Sequence, residues 1–262
     1  MKPEIYNELT SNMKELEEKL VNFVREETAK RGFKKVILGL SGGIDSALVA
    51  FIAAKAMGPE NVYTVMMPYK TSSKESVEHA ELVVKASGIN SKKVEITPMV
   101  DGYFGMEGEA SGLRRGNYMS RTRMCVLFDN SAKENAIVMG TSNKTELLLG
   151  YGTQFGDMAS GINPIGELLK VQVWELSRYM GVPKEVIDKK PSADLWEGQT
   201  DEAELGFSYE MADEILYHLI YLNNTKEEIK AKGYDEKIVD TIFTRIARNQ
   251  YKREMPTIAK IR

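Results

Sequence analysis

Residues 41–46 read Ser-Gly-Gly-Ile-Asp-Ser, between the apolar run Val36-Ile37-Leu38-Gly39-Leu40 and an alanine-rich segment. Two adjacent glycines let a backbone turn tightly and approach a ligand with no Cβ in the way. A helix that starts straight after them points free N–H groups and the positive end of its dipole back at the turn. That favours an anion by about 0.3–1 kcal/mol. Ser41 and Ser46 add hydroxyl groups, so the unit is built to cradle phosphate. A Walker-type loop would carry Lys-Ser or Lys-Thr after its glycines. Asp45 stands there instead. A carboxylate beside a phosphate repels it unless a cation lies between, so Asp45 implies Mg2+. A bare Gly-Gly turn with Asp45 as a helix cap is the plain alternative. It accounts for the turn but not for the whole strand, turn and helix unit.

Two further groups of residues carry charge in places where charge needs a reason. Gly140-Thr141-Ser142-Asn143-Lys144-Thr145-Glu146 follows directly on another β-prone run. There Glu146 offers a second hard oxygen ligand and Thr141 a hydroxyl. The alternative is a capped helix start with a solvated Glu. In Arg114-Arg115-Gly116-Asn117-Tyr118-Met119-Ser120-Arg121-Thr122-Arg123-Met124 several cations gather at the expected start of a helix. Arginine suits a bidentate grip on phosphate or carboxylate. A helix N-terminus does not favour it, so an anion is expected to balance it. A solvated basic face is the alternative. Lys170 opens a helical run where the dipole again disfavours a cation, which favours a ligand; a snorkelling surface lysine is the alternative.

For these groups to meet, they must sit on one edge of a sheet. Leu9, Met13, Leu16, Leu20 and Val24 predict a helix from Asn7 to Arg31, stopped by Gly32. Strands are expected at Val36–Leu40, Val62–Met67, Val94–Ile96 and Ala136–Gly140. Helices are expected between them at Asp45–Met57, Ser73–Ser87 with Ser73 as N-cap, and Asn117–Lys133. Residues 98–116 and 191–206 read as long loops, and 141–166 as mostly irregular. Helices follow at Val171–Met180, Ser208–Leu222 and Asp235–Gln250, with a shorter one between the last two. Strands alternating with helices at these lengths imply parallel strands joined by right-handed crossovers. The fold class is α/β, doubly wound, with a mainly parallel sheet, helices on both faces and a helical C-terminal part. Ligands in such folds bind at the carboxyl ends of the strands.

SGGIDS resembles the signature of the PP-loop, or N-type, ATP pyrophosphatases, which split ATP between its α and β phosphates. The continuation LLLGYGTQFGDMASGINPIGELLKVQVWEL resembles the ammonia-dependent NAD synthetase branch of that superfamily. The resemblance covers nearly the whole chain. It implies the adenine nucleotide alpha hydrolase-like fold, and ATP-driven amidation of deamido-NAD with ammonia through an adenylate. ATP and Mg2+ are the implied co-substrate and cofactor, and a homodimer the implied assembly. It assigns ATP contacts to Gly39, Leu40, Ser41, Gly42, Gly43, Ile44, Asp45 and Ser46, with Thr141, Lys170 and Ser192. It assigns metal binding to Asp45 and Glu146, and catalysis to those two with Lys170. Asn117, Arg121, Gln154, Gly161, Tyr251 and Lys252 fall at deamido-NAD positions. Gln154 and Gly161 stand where the better-known bacterial branch carries a Lys and an Asp. Tyr251 and Lys252 lie in a terminal basic segment whose alternative is a frayed tail.

The 262 residues suit a single synthetase domain over 1–262, with no room for the nitrilase-like glutaminase domain of glutamine-dependent relatives. Free ammonia is therefore the expected nitrogen source. A net charge of −3 gives no general attraction to nucleic acid or anionic membrane. One cysteine, Cys125, excludes an internal disulfide and fits a reducing, cytoplasmic setting. It lies in an apolar helical run and is expected to pack in the core. No signal peptide or membrane span is legible. His79 and His218 stand alone on helices and read as structural. Rival readings are another PP-loop enzyme, such as a GMP synthetase domain or a tRNA-modifying thiolase, or a non-catalytic nucleotide sensor. One cysteine and the acidic balance disfavour the thiolases. A sensor needs neither the second carboxylate nor the arginines.

Overall fold

A computed structural model of the chain describes residues 1–192, 198 and 200–261. In chain order the first elements are helices α1 (Pro3–Thr10) and α2 (Met13–Lys30), strand β1 (Lys35–Gly39), α3 (Ile44–Met57), β2 (Val62–Met66), α4 (Lys74–Ser87) and β3 (Asn90–Lys93). Then come α5 (Thr97–Glu107), α6 (Gly112–Glu134), β4 (Ala136–Val138) and α7 (Lys144–Leu149). The C-terminal part holds α8 (Lys170–Met180), α9 (Lys184–Asp188), α10 (Asp201–Leu205), α11 (Tyr209–Ile220), α12 (Lys226–Ala231) and α13 (Glu236–Arg248). The strands form a parallel sheet in the order β3-β2-β1-β4.

The sheet is covered on both faces, and its side chains alternate accordingly. Val36, Leu38, Val62, Met66, Ile137 and Met139 join one core with α2, α3, α4, α8 and α9. Ile37, Val65, Ala136 and Val138 face the other way and meet Leu127 of α6. Helix α3 is apolar nearly all round, and Ala47, Leu48, Val49, Ala50, Ile52 and Ala53 are fully buried. Such a helix belongs inside a core, and here it fixes the glycine turn at the carboxyl end of β1. A second core, built on α8, α11 and α13, forms the helical part.

Several expectations need correction. The first helix is two helices. The chain breaks at Ser11-Asn12, where the Asn12 side chain accepts from Glu15 N and caps α2. The third strand is Asn90–Lys93 rather than Val94–Ile96. All four of its side chains are exposed on the sheet edge, so it leaves no apolar signature. Residues 98–116 are not a loop. They hold α5 and the first turn of α6, which starts at Gly112 under a Ser111 cap instead of at Asn117. Val100 and Phe104 pack against Met119, and Tyr103 stacks on Tyr118 at 4.3 Å. That packing outweighs the low helix propensity of Gly102 and Gly105. Helix α7 lies in the stretch read as irregular, and α10 in the loop read at 191–206. The rest of that loop, residues 193–197 and 199, lies outside the described residues. Cys125 is exposed rather than packed, because α6 turns that position away from the buried Leu127.

Candidate active site

The glycine turn is held from within. Ser46 Oγ donates to Gly43 O at 3.0 Å and accepts from Ser41 N at 3.2 Å. Ser41 Oγ accepts from Gly43 N at 3.2 Å. Gly42 has a φ of +78°, and a Cβ there would lie 2.0 Å from the carbonyl oxygen of Ser76 on α4. Glycine is thus required twice over, by conformation and by close approach. Gly43 caps α3 with no side-chain hydrogen bond, so the first turn keeps open N–H groups. The turn opens into a cavity of about 1200 Å3 that Gly39, Leu40, Ser41, Gly43, Ile44, Asp45 and Ser46 help to line.

Across this cavity edge stand the two other predicted catalytic residues. Lys170 is 1 % exposed, and its Nζ lies 2.5 Å from Asp45 Oδ2 and 3.1 Å from Glu146 Oε1. The surface-lysine alternative is thereby removed. The anion that a lysine at a helix start requires is supplied by the protein itself. Burial alone would push the Lys170 ammonium down, but the Asp45 and Glu146 carboxylates outweigh it and raise its pKa. Burial also pushes the Glu146 carboxyl up, and the neighbouring Asp45 adds to this. Asn143 donates from Nδ2 to Asp45 Oδ1 at 2.8 Å, and so ties β4's exit to α3. Glu146 also completes a capping box with Asn143, donated by Asn143 N to its Oε2 at 3.3 Å. The capping alternative and the functional reading therefore hold together, one carboxylate oxygen serving each. Asp45 and Glu146 each turn a hard oxygen to the Lys170 ammonium, and two such carboxylates are donors of the kind Mg2+ takes. Among the described residues no group of three His, Cys, Asp or Glu gathers as a metal site, so two carboxylates are what this end offers.

The remaining expected residues divide. Thr141 and Ser192 line the same cavity. So do Asn117, Arg121, Gln154, Tyr251 and Lys252. Arg121 donates to Gln154 O at 3.2 Å, Gln154 donates to Tyr251 O at 3.3 Å, and Asn117 accepts from Thr153 Oγ1 at 2.8 Å. Arg121 and Arg123 stand in the middle of α6, not at its start. Arg123 donates to Met67 O. Arg114 and Arg115 meet protein anions, Glu107 at 3.1 Å and Asp101 at 3.7 Å, so those two need no ligand. Lys252 is not in a frayed tail. It sits in a 3₁₀ turn, Gln250–Arg253, and donates to Gly150 O at 2.8 Å and Gly152 O at 2.9 Å. Gly161 does not join the lining. Its N–H bonds Val138 O at 2.9 Å, and a Cβ would strike Ile137 at 2.6 Å.

Sequence reading passed over several residues of the same cavity, among them Lys189, Asp201, Arg245 and Arg248. Asp201 accepts hydrogen bonds from the hydroxyls of Tyr151 and Tyr209, both at 2.9 Å. The Tyr209 ring in turn lies 5.0 Å from Lys170 Nζ. No short spacing announces them, because Lys189 after α9 and the residues on α10, α11 and α13 come in from far along the chain. His218 is structural as expected, with Nε2 3.1 Å from Tyr234 Oη.

Comparison with known proteins gives the family. The NAD synthase family profile matches residues 16–256. An NH(3)-dependent NAD(+) synthetase from Fusobacterium nucleatum subsp. nucleatum is 57% identical over 256 residues, covering 98% of this chain and 99% of that protein. One from Trichlorobacter lovleyi is 55% identical, covering 97% of this chain and 93% of that protein. Among solved structures, the NH3-dependent NAD synthetase from Campylobacter jejuni in complex with the nitrate ion superposes with a TM-score of 0.81 at 34% identity, covering 95% of this chain and 99% of that one. The NMN synthetase from Francisella tularensis superposes with a TM-score of 0.85 at 31% identity, with the same coverage. The shared fold is the adenine nucleotide alpha hydrolase-like one. With an uncapped glycine turn, two facing carboxylates and a sequence alike along nearly its whole length, this chain belongs to the NAD synthase family.

Proposed function

We propose that this chain makes NAD by ATP-driven amidation of deamido-NAD with free ammonia. The observation that carries the reading is the meeting of Asp45, Glu146 and Lys170 beside the open N-terminus of α3. The turn at 41–46 takes the β and γ phosphates of ATP on its N–H groups and hydroxyls, and Thr141 and Ser192 complete the ATP contacts. Asp45 and Glu146 would hold Mg2+, which when bound supplies positive charge against the departing pyrophosphate. Lys170 keeps its proton and its place between the two carboxylates, so the site stays ordered before substrate arrives. Arg121, with Asn117, Gln154, Tyr251 and Lys252, forms the wall for deamido-NAD.

Chemistry then follows from placement. A nicotinate oxygen attacks the α-phosphorus, the bond to the β-phosphate oxygen breaks, and pyrophosphate leaves with the electron pair. Ammonia attacks the acyl carbon of the adenylate, the C–O bond to AMP breaks, and the nitrogen loses a proton to solvent. No nucleophilic side chain is required. Positioning and electrostatic stabilisation supply the rate. The exposed apolar side chains of Leu113, Phe155 and Tyr251 near the deamido-NAD wall support a homodimer closing on that side. Among the described residues no helix is long and apolar enough to cross a membrane. The lone cysteine supports a cytoplasmic setting.

The test is direct. Protein, ATP, Mg2+, ammonium and deamido-NAD are mixed, and NAD, AMP and pyrophosphate are expected in equal amounts. ADP in place of AMP would overturn the adenylation. A parallel reaction with nicotinate mononucleotide decides the acceptor, since one structural neighbour is an NMN synthetase. The dinucleotide is expected to be preferred.

A further inference from the structure

Asp213 on α11 and Thr145 on α7 are both fully buried, yet both are polar. Thr145 Oγ1 donates to Asp213 Oδ1 at 2.5 Å, and Val171 N donates to Asp213 Oδ2 at 2.8 Å. Lys170 N donates to Thr145 Oγ1 at 3.0 Å. A backbone N–H can only donate, so the Thr145 oxygen accepts from Lys170, and its hydroxyl donates to the ionised Asp213 carboxylate. Asp213 satisfies the first-turn N–H of Val171 directly and that of Lys170 through Thr145, at a helix start whose own cap, Leu169, has no side-chain hydrogen bond.

We propose that Thr145 and Asp213 are positioning residues, a clamp that locks the start of α7 to the start of α8 and so sets Glu146 against Lys170. Thr145 is the neighbour of Glu146, and Lys170 is itself a member of the chain. Burying a carboxylate is costly, and an apolar pair would join these helices without that cost. What an apolar pair would not do is fix the rotation of both first turns at once. The proposal rests on the functional reading above, in which Glu146 would hold Mg2+ and Lys170 keeps the carboxylates in place beside the ATP site.

Thr145→Val keeps the shape and removes the hydroxyl, while Thr145→Ser keeps the hydroxyl. In Thr145→Val, kcat is expected to fall about 10- to 100-fold, with a matching rise in the Mg2+ concentration for half-activity. The unfolding temperature stays within a few degrees, and Thr145→Ser recovers kcat to within about threefold of wild type. Wild-type kcat and Mg2+ dependence in Thr145→Val would overturn the proposal. So would equal losses in Val and Ser that simply track the unfolding temperature. Should Thr145→Val not fold, Asp213→Asn takes its place with the same expectations. Calorimetric binding of ATP with Mg2+, without an acceptor, separates the two readings. An inactive wild type with deamido-NAD would sink the substrate assignment alone. Unweakened ATP binding in Thr145→Val would sink the clamp alone.

Discussion

Taking an ammonium to 1 % exposure costs several kcal/mol unless anions surround it, and Lys170 has two. Removing it leaves Asp45 and Glu146 facing each other with little solvent. Lys170→Met is expected to cost about 3–5 kcal/mol in metal-free buffer. Mg2+ should then raise the melting temperature more in the variant than in wild type. Equal Mg2+ shifts in thermal scans with and without chelator would show that the two carboxylates do not share a cation site. Asp45→Asn keeps the volume and loses the charge, and its turnover is expected to fall by about 10²–10³ with the fold retained by circular dichroism. Initial rates near wild type would remove Asp45 from the site. On α11, burial lowers the pKa of His218. A depressed imidazole contributes stability above its unfolded value of about 6.5 that is lost as pH falls through the folded value. Wild type should therefore lose melting temperature more steeply than His218→Gln does as pH falls below about 6.5. Parallel pH profiles would refute this.

Elements decide how close these residues come. The α3 N-terminus stays free because Gly43 has no side chain to cap it, whereas α4 is capped by Ser73, which accepts from Ser76 N at 3.0 Å. Ser73→Ala should cost about 1 kcal/mol, read from denaturant midpoints, with little change in turnover. Gly42→Ala meets both a left-handed φ and the Ser76 carbonyl. Its expected signature is at least about a tenfold loss in kcat/KM for ATP, because α4 must move away from the turn. Unaltered ATP kinetics would show that the turn lies off the phosphate path. The same scale shows where sequence patterns run out. The glycine turn and α3 were legible because glycine pairs and apolar helices state their purpose locally. The edge strand Asn90–Lys93 was not, since nothing apolar marks it, and α5 was hidden behind Gly102 and Gly105 until its packing on α6 was seen.

At the scale of the whole molecule, one sheet edge gathers side chains from β1's exit, β4's exit, α6, α8 and the segment after α13 around one cavity. A homodimer predicts a light-scattering mass twice the 29.4 kDa of the chain. A monomeric mass at working concentration would place the deamido-NAD wall on an open surface. The sequence by itself determined the α/β class, the glycine turn with its aspartate, and the candidate partners Glu146 and Lys170. Each of these is a local pattern of residue type and spacing. Only the tertiary structure decided that Lys170 bridges the two carboxylates, that Lys252 is bound rather than frayed, and that Asp213 reaches from α11 to the starts of two other helices. Those contacts join residues up to 125 positions apart. Chain folding sets such distances, and spacing along the sequence carries no record of them.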